Sequence, residues 1–140
     1  PNAMHDLSAE AWYEQGIRDL RAAEHLLEGG YAAHATVIAH LAVEKMLKGL
    51  VRERTDATPP VTHDLRHLVK RLRFDLGVEG WTADLQDALD TLSDVSLLAL
   101  YAPDRPFGHP VAHVLDTARE RVASAQVLAQ WLQRVGNATP

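Results

Sequence analysis

The run from Tyr31 to Val43, Tyr-Ala-Ala-His-Ala-Thr-Val-Ile-Ala-His-Leu-Ala-Val, has no broad polar face. A helix built from it must be covered on several sides, so it belongs at the centre of a packed bundle. The same helix continues to about Arg54 through Leu41-Ala-Val-Glu44-Lys45-Met46-Leu-Lys48-Gly-Leu50. That stretch sets cations and an acid on an element that is otherwise apolar nearly all round. With 140 residues, 46% of them hydrophobic, few β-branched runs and no alternating segments, the chain reads as one all-α domain with a modest core.

Around this central helix the punctuation predicts about five helices. Ser8 is an N-cap candidate for a first helix to about Glu28, with Tyr13, Ile17, Leu20, Ala23 and Leu27 on one face. Gly29-Gly30 stops it. Thr55 to Pro60 forms a loop, Thr62 is the cap candidate for a short third helix to about Phe74, and Gly77 to Gly80 form a turn. Thr82 then caps a fourth helix to about Ala102, striped with Leu85, Leu89, Leu92, Ser96 and Ala99. Pro103, Pro106, Gly108 and Pro110 make a rigid connector to a last helix from about Val111 to Val135. That helix repeats Val111, Leu115, Ala118, Val122, Ala125, Ala129 and Leu132. Short connectors between long helices imply an up-and-down antiparallel bundle, like a four-helix bundle. Pro1-Asn2-Ala3 before Met4 reads as an expression remnant, leaving 4–140 as the single domain.

Absent residue types narrow the chemistry. The chain has no cysteine, which excludes disulfides, thiol nucleophiles and cysteine metal sites. No segment approaches the ~18 uninterrupted apolar residues of a membrane helix, and the expectation is a cytoplasmic protein with no membrane association and no cofactor. His63 and His67, like His109 and His113, are one helical turn apart, but no third metal ligand can be named from sequence and no metal is expected. His34 and His40, on the central helix, suit hydrogen-bonded core positions. Trp12, Tyr13, Trp81 and Trp131 suit core or interface anchors, with Tyr101 set apart by its place just before the connector.

Charge is uneven. Lys45 to Arg73 carries a net charge of +5 within a chain of −5, leaving −10 elsewhere. A local basic surface on an acidic protein suits a phosphate-bearing ligand. The same residues also suit ordinary solvated helix faces, and Glu44 and Lys48, spaced i,i+4, suit a simple pair. With a sequence pI of 5.9, contact with nucleic acid would be local or short.

Three stretches in order carry a resemblance. Glu44-Lys45-Met46-Leu-Lys48, then Thr62-His63-Asp64-Leu65, then Tyr101-Ala-Pro103-Asp-Arg105-Pro-Phe-Gly-His109 resemble the A-E-K-x-L-K-A, T-H-D-L and R-Y-P-D motifs of the HEPN family of small helical domains. The likeness runs from about Ala11 to Val135. It implies a homodimer that binds a nucleotide or short RNA and works with a minimal nucleotidyltransferase in a toxin–antitoxin-like pair. Lys45, Lys48, His63, Tyr101 and Arg105 would be the ligand-binding residues. An alternative implied by the family's ribonucleases makes the chain a metal-independent toxin. Arg105 would then stabilise the phosphate, and His109 would transfer the proton of a ribose 2′-hydroxyl. Those enzymes separate Arg and His by four to six residues. Here only Pro106, Phe107 and Gly108 intervene, so the binding module leads, with a purely structural dimerisation domain as the third reading.

Dimerisation has its own argument. The central helix is apolar on too many sides for a small bundle to cover, and the last helix adds Val127, Leu128 and Trp131 beyond its main stripe, which suits a twofold interface.

Overall fold

A computed structural model describes residues 7–95, 100 and 111–137, and among these the chain is all-helical. The helices are α1 (Ala9–Glu28), α2 (Ala32–Thr55), α3 (Leu65–Lys70), α4 (Ala83–Ser93) and α5 (Val111–Asn137). Residues Arg71–Asp75 extend α3 as a π-helical turn. No helix among the described residues is long and apolar enough to cross a membrane.

Local chemistry starts most of these elements. Ser8 accepts from the Ala11 N–H and Thr82 from the Leu85 N–H, each satisfying an orphan donor of a first turn. The expected Thr62 cap is corrected: Asp64 caps α3, its carboxylate accepting from the His67 N–H at 3.2 Å. Thr62 instead accepts from the Asp64 N–H at 3.0 Å, a turn that hands the chain to the real cap. The fourth helix also ends earlier than its periodicity suggests. It stops at Ser93, and the Val95 N–H reaches the Leu92 carbonyl at 3.2 Å. Val95, just past the turn, is part of the core. Ser96 and Ala99, expected on the α4 stripe, lie outside the described residues.

The central position of α2 is as expected. It packs against α1, α3 and α5, and α4 closes on α5. Early residues of α1 meet late residues of α2, so the two are antiparallel. A Cβ on Gly16 would stand 2.5 Å from Met46 Cγ and 2.7 Å from the Ala42 carbonyl oxygen, and one on Gly49 would stand 3.0 Å from the Ala9 carbonyl oxygen. These two glycines set how closely the helices approach. At the far ends, Arg54 donates to the Val135 carbonyl at 3.3 Å, joining the last turns of α2 and α5. Trp131 is buried, meets Trp81 edge-to-face at 5.1 Å and donates to the Glu79 carbonyl at 3.3 Å. With Leu128 also buried inside the protomer, only Val127 of the expected α5 interface residues points outward. His34 is exposed rather than core, its ring edge-on to Tyr31.

Candidate functional site

The buried polar and charged residues among those described are Thr36, His40, Glu44 and Lys48. Each follows the last by four positions, so they form a gently spiralling stripe along one side of α2, advancing ~40° per step. Apolar neighbours on every other side keep the helix central. The stripe therefore places ionisable groups inside the bundle, where each charge needs a partner.

Glu44 supplies those partners. Its Oε2 accepts from Lys48 Nζ at 3.1 Å, and its Oε1 accepts from His63 Nδ1 at 2.8 Å. An ionised carboxylate is acceptor-only, so the His63 proton sits on Nδ1 and Nε2 is left for another partner. Glu44 and Lys48 are 3% and 5% exposed, whereas the His63 side chain is 65% exposed. A buried carboxylate thus fixes the ring of an accessible histidine. Lys48 neutralises that carboxylate and also stands 5.5 Å from the centre of the Trp12 ring, within cation–π range.

His40 completes the cluster from the other side. Its Nδ1 is 3.9 Å from Glu44 Oε1, too far for a hydrogen bond, and has no hydrogen-bond partner. Burial pushes the imidazole below its ordinary value of 6.5, against an opposing pull from the Glu44 charge, with lesser effects from His63 and Asp64. His40 is therefore a neutral, buried group beside a charged pair. Trp12 Nε1 is likewise buried without a hydrogen-bond partner.

The expected ligand residues are split by this geometry. His63 is open to solvent and positioned. Lys48 is the buried counter-ion of Glu44, and Lys45 bonds Asp19 of α1 at 2.6 Å, half-buried. Much of the remaining basic segment is also engaged: Arg66 with Asp90, Arg71 with Asp75, and Arg54 with a carbonyl. Tyr101, Arg105 and His109 lie outside the described residues. Glu44 itself was legible only as half of an i,i+4 pair. Its bond to His63 crosses 19 positions and leaves no local trace in the sequence.

Chemically, the site presents one imidazole edge with a fixed tautomer, backed by a buried carboxylate. As the neutral ring this edge accepts a proton or a hydrogen bond at Nε2, and as the imidazolium it donates one to an anion. No group of three or more His, Asp or Glu among the described residues is arranged to hold a metal ion. A separate cleft of about 260 Å³ between the start of α1, the end of α2 and Gly136 is lined by Glu10, Tyr13, Glu14, Gly49 and Glu53. Burial and the nearby Glu53 push the Tyr13 phenol up. Three carboxylates there repel phosphate, so this cleft does not suit the anionic ligand expected from the sequence.

Comparisons with known proteins agree with this architecture. The structure is similar to that of TT1696 from Thermus thermophilus, with a TM-score of 0.74 and 28% identity over 91% of this chain and 97% of that one. It shares its fold with ST0689, an archaeal HEPN homologue, with a TM-score of 0.66 and 22% identity over 91% of this chain and 97% of that one. A search of curated protein sequences finds no match. The model of the HEPN domain matches residues 9–135, nearly the whole helical bundle described above, and the chain belongs to the HEPN domain family.

Proposed function

We propose that this chain is a HEPN module that binds a nucleotide or short RNA, acts as a homodimer and works with a minimal nucleotidyltransferase in a toxin–antitoxin-like pair. The observation that supports it is the Glu44–His63 pair, a 2.8 Å bond from a buried carboxylate to an exposed imidazole. As an imidazolium, His63 donates from Nε2 to a ligand phosphate while Nδ1–H stays on Glu44, a positioning residue that holds the ring. Lys48 keeps the Glu44 charge balanced inside the bundle and Lys45 ties α2 to α1, so both act through packing. Arg105 and Tyr101 are the further ligand-binding residues that the family resemblance implies.

Calorimetric titration of ATP and of a short mixed-sequence RNA into the pure protein tests this. The wild type is expected to bind, His63→Ala and Arg105→Ala to weaken binding by about 10-fold or more, consistent with losing a charge-assisted hydrogen bond of ~1.5–3 kcal/mol. No binding of either ligand by the wild type sinks the reading. A parallel incubation of RNA in excess EDTA separates the enzyme class. Cleavage to 2′,3′-cyclic phosphate ends, lost in Arg105→Ala and His109→Ala, would replace the binding module with a ribonuclease.

A further inference from the structure

The segment that follows His63 carries a surface that folding does not explain. Leu65, Leu68, Val69 and Leu72 face the core, while Arg66, His67, Lys70 and Phe74 are exposed. Phe74 is 68% exposed, an aromatic ring held in water at the end of the basic segment. It lies within a π-helical turn. The Leu76 N–H bonds the Arg71 carbonyl at 3.1 Å, five residues back, and the Val78 N–H bonds the Leu72 carbonyl at 2.9 Å. Leu72 continues the buried stripe of Leu65, Leu68 and Val69, and Phe74 follows His67 and Lys70 on the opposite, exposed face.

The ring is also held in place. Arg73 Cζ lies 4.9 Å from the centre of Phe74 and 4.9 Å from the centre of Trp81, a guanidinium in contact with two aromatic rings. Trp81 is in turn fixed by its bond to Gln86 at 3.0 Å and its edge contact with Trp131. Phe74 is thus anchored through Arg73 to the core while remaining largely open. Beside it, Lys70 makes no ion pair among the described residues, and His67 is free at its side chain in the same sense. Arg66 and Arg71 are each paired with one exposed carboxylate, Asp90 and Asp75.

We infer that α3 and its π-helical turn form a track for a short single-stranded RNA. In it Phe74 is a base-stacking platform and His67 and Lys70 follow the phosphates from His63. The charge sign selects an anionic polymer, and the open ring selects unpaired bases, because a stacked duplex has no free base face to offer. The distance from Leu65 to Phe74, ~13.5 Å at 1.5 Å per residue, matches a few nucleotides rather than a long strand. This extends the anion site at His63 proposed above and rests on that reading for the strand's direction, not for the platform itself.

The test is fluorescence anisotropy of a labelled single-stranded RNA of roughly ten nucleotides, with ATP titrated separately. Phe74→Ala is expected to weaken RNA binding by about 5- to 100-fold, the range for loss of one base–aromatic stack. Its thermal melt and ATP affinity should stay as in the wild type, since the ring is exposed, and Phe74→Trp should retain RNA binding. Lys70→Ala should flatten the dependence of affinity on salt. Unchanged RNA affinity in Phe74→Ala overturns the track while leaving the His63 site standing. RNA binding by the wild type that is lost in His63→Ala alone does the same. If Phe74→Ala reduces self-association instead, with RNA affinity intact, the ring belongs to a protein contact and the inference is wrong. Absence of both RNA and ATP binding in the wild type removes the reading and the track together.

Discussion

Glu44 carries two bonds that pull in different functional directions, one inward to Lys48 and one outward to His63. Truncating Lys48 to alanine leaves the buried carboxylate with His63 as its one remaining partner, at a cost of up to about 3–5 kcal/mol. Replacing both partners, as in Glu44→Leu with Lys48→Met, should recover most of that stability, because an apolar pair of similar volume carries no desolvation penalty. Urea unfolding of the two single variants and the double variant measures this, and strictly additive losses would show that the pair is not coupled. His40 gives a pH signature. Its folded-state pKa lies below 6.5, so below that pH the unfolded chain takes up a proton that the native imidazole resists. Stability contributed at His40 is therefore complete above the unfolded value and is lost as pH falls below it. The melting temperature of the wild type should drop on acidification through this window more steeply than that of His40→Gln. Parallel curves would exclude His40 as the group responsible. The stripe to which these residues belong was partly legible: four-residue spacing of polar side chains on an apolar helix is visible in the chain, but that Glu44 meets His63 is not.

At the level of elements, the α1–α2 contact depends on two glycines rather than on large side chains. An alanine at Gly16 must displace Met46 and approach the Ala42 carbonyl, and overpacking of this kind typically costs ~1–3 kcal/mol. Gly16→Ala should lower the urea midpoint by that measure without changing helix content by circular dichroism. A stabilising effect, as expected from helix propensity alone, would show that the helices separate easily. Caps followed the chain closely where one candidate stood alone, as at Ser8 and Thr82. Thr62 and Asp64 competed two positions apart, and the register in which Leu65 enters the core selected Asp64. The early end of α4 left no signal in the periodicity, which runs on past Ser93 while the chain turns at Asp94.

For the whole molecule, pairing within one protomer has consumed much of what looked like a basic patch. Lys45, Lys48, Arg66 and Arg71 each meet a carboxylate, which leaves His63 and the α3 face as the open part of it. Dimerisation stands as a proposal with a narrower footing on α5, since Leu128 and Trp131 are turned inward and Val127 outward. Light scattering at micromolar concentration should return twice the 15.5 kDa chain mass; a monomer would remove the homodimer from the proposed function. The sequence by itself determined the helical class, the central place of α2 and most helix starts, because hydrophobic period and capping act over a few residues. Only the tertiary structure decided which charges are spent and which remain available. A carboxylate at position 44 and an imidazole at position 63 become partners through the packing of α3 against α2, and no short-range rule joins them.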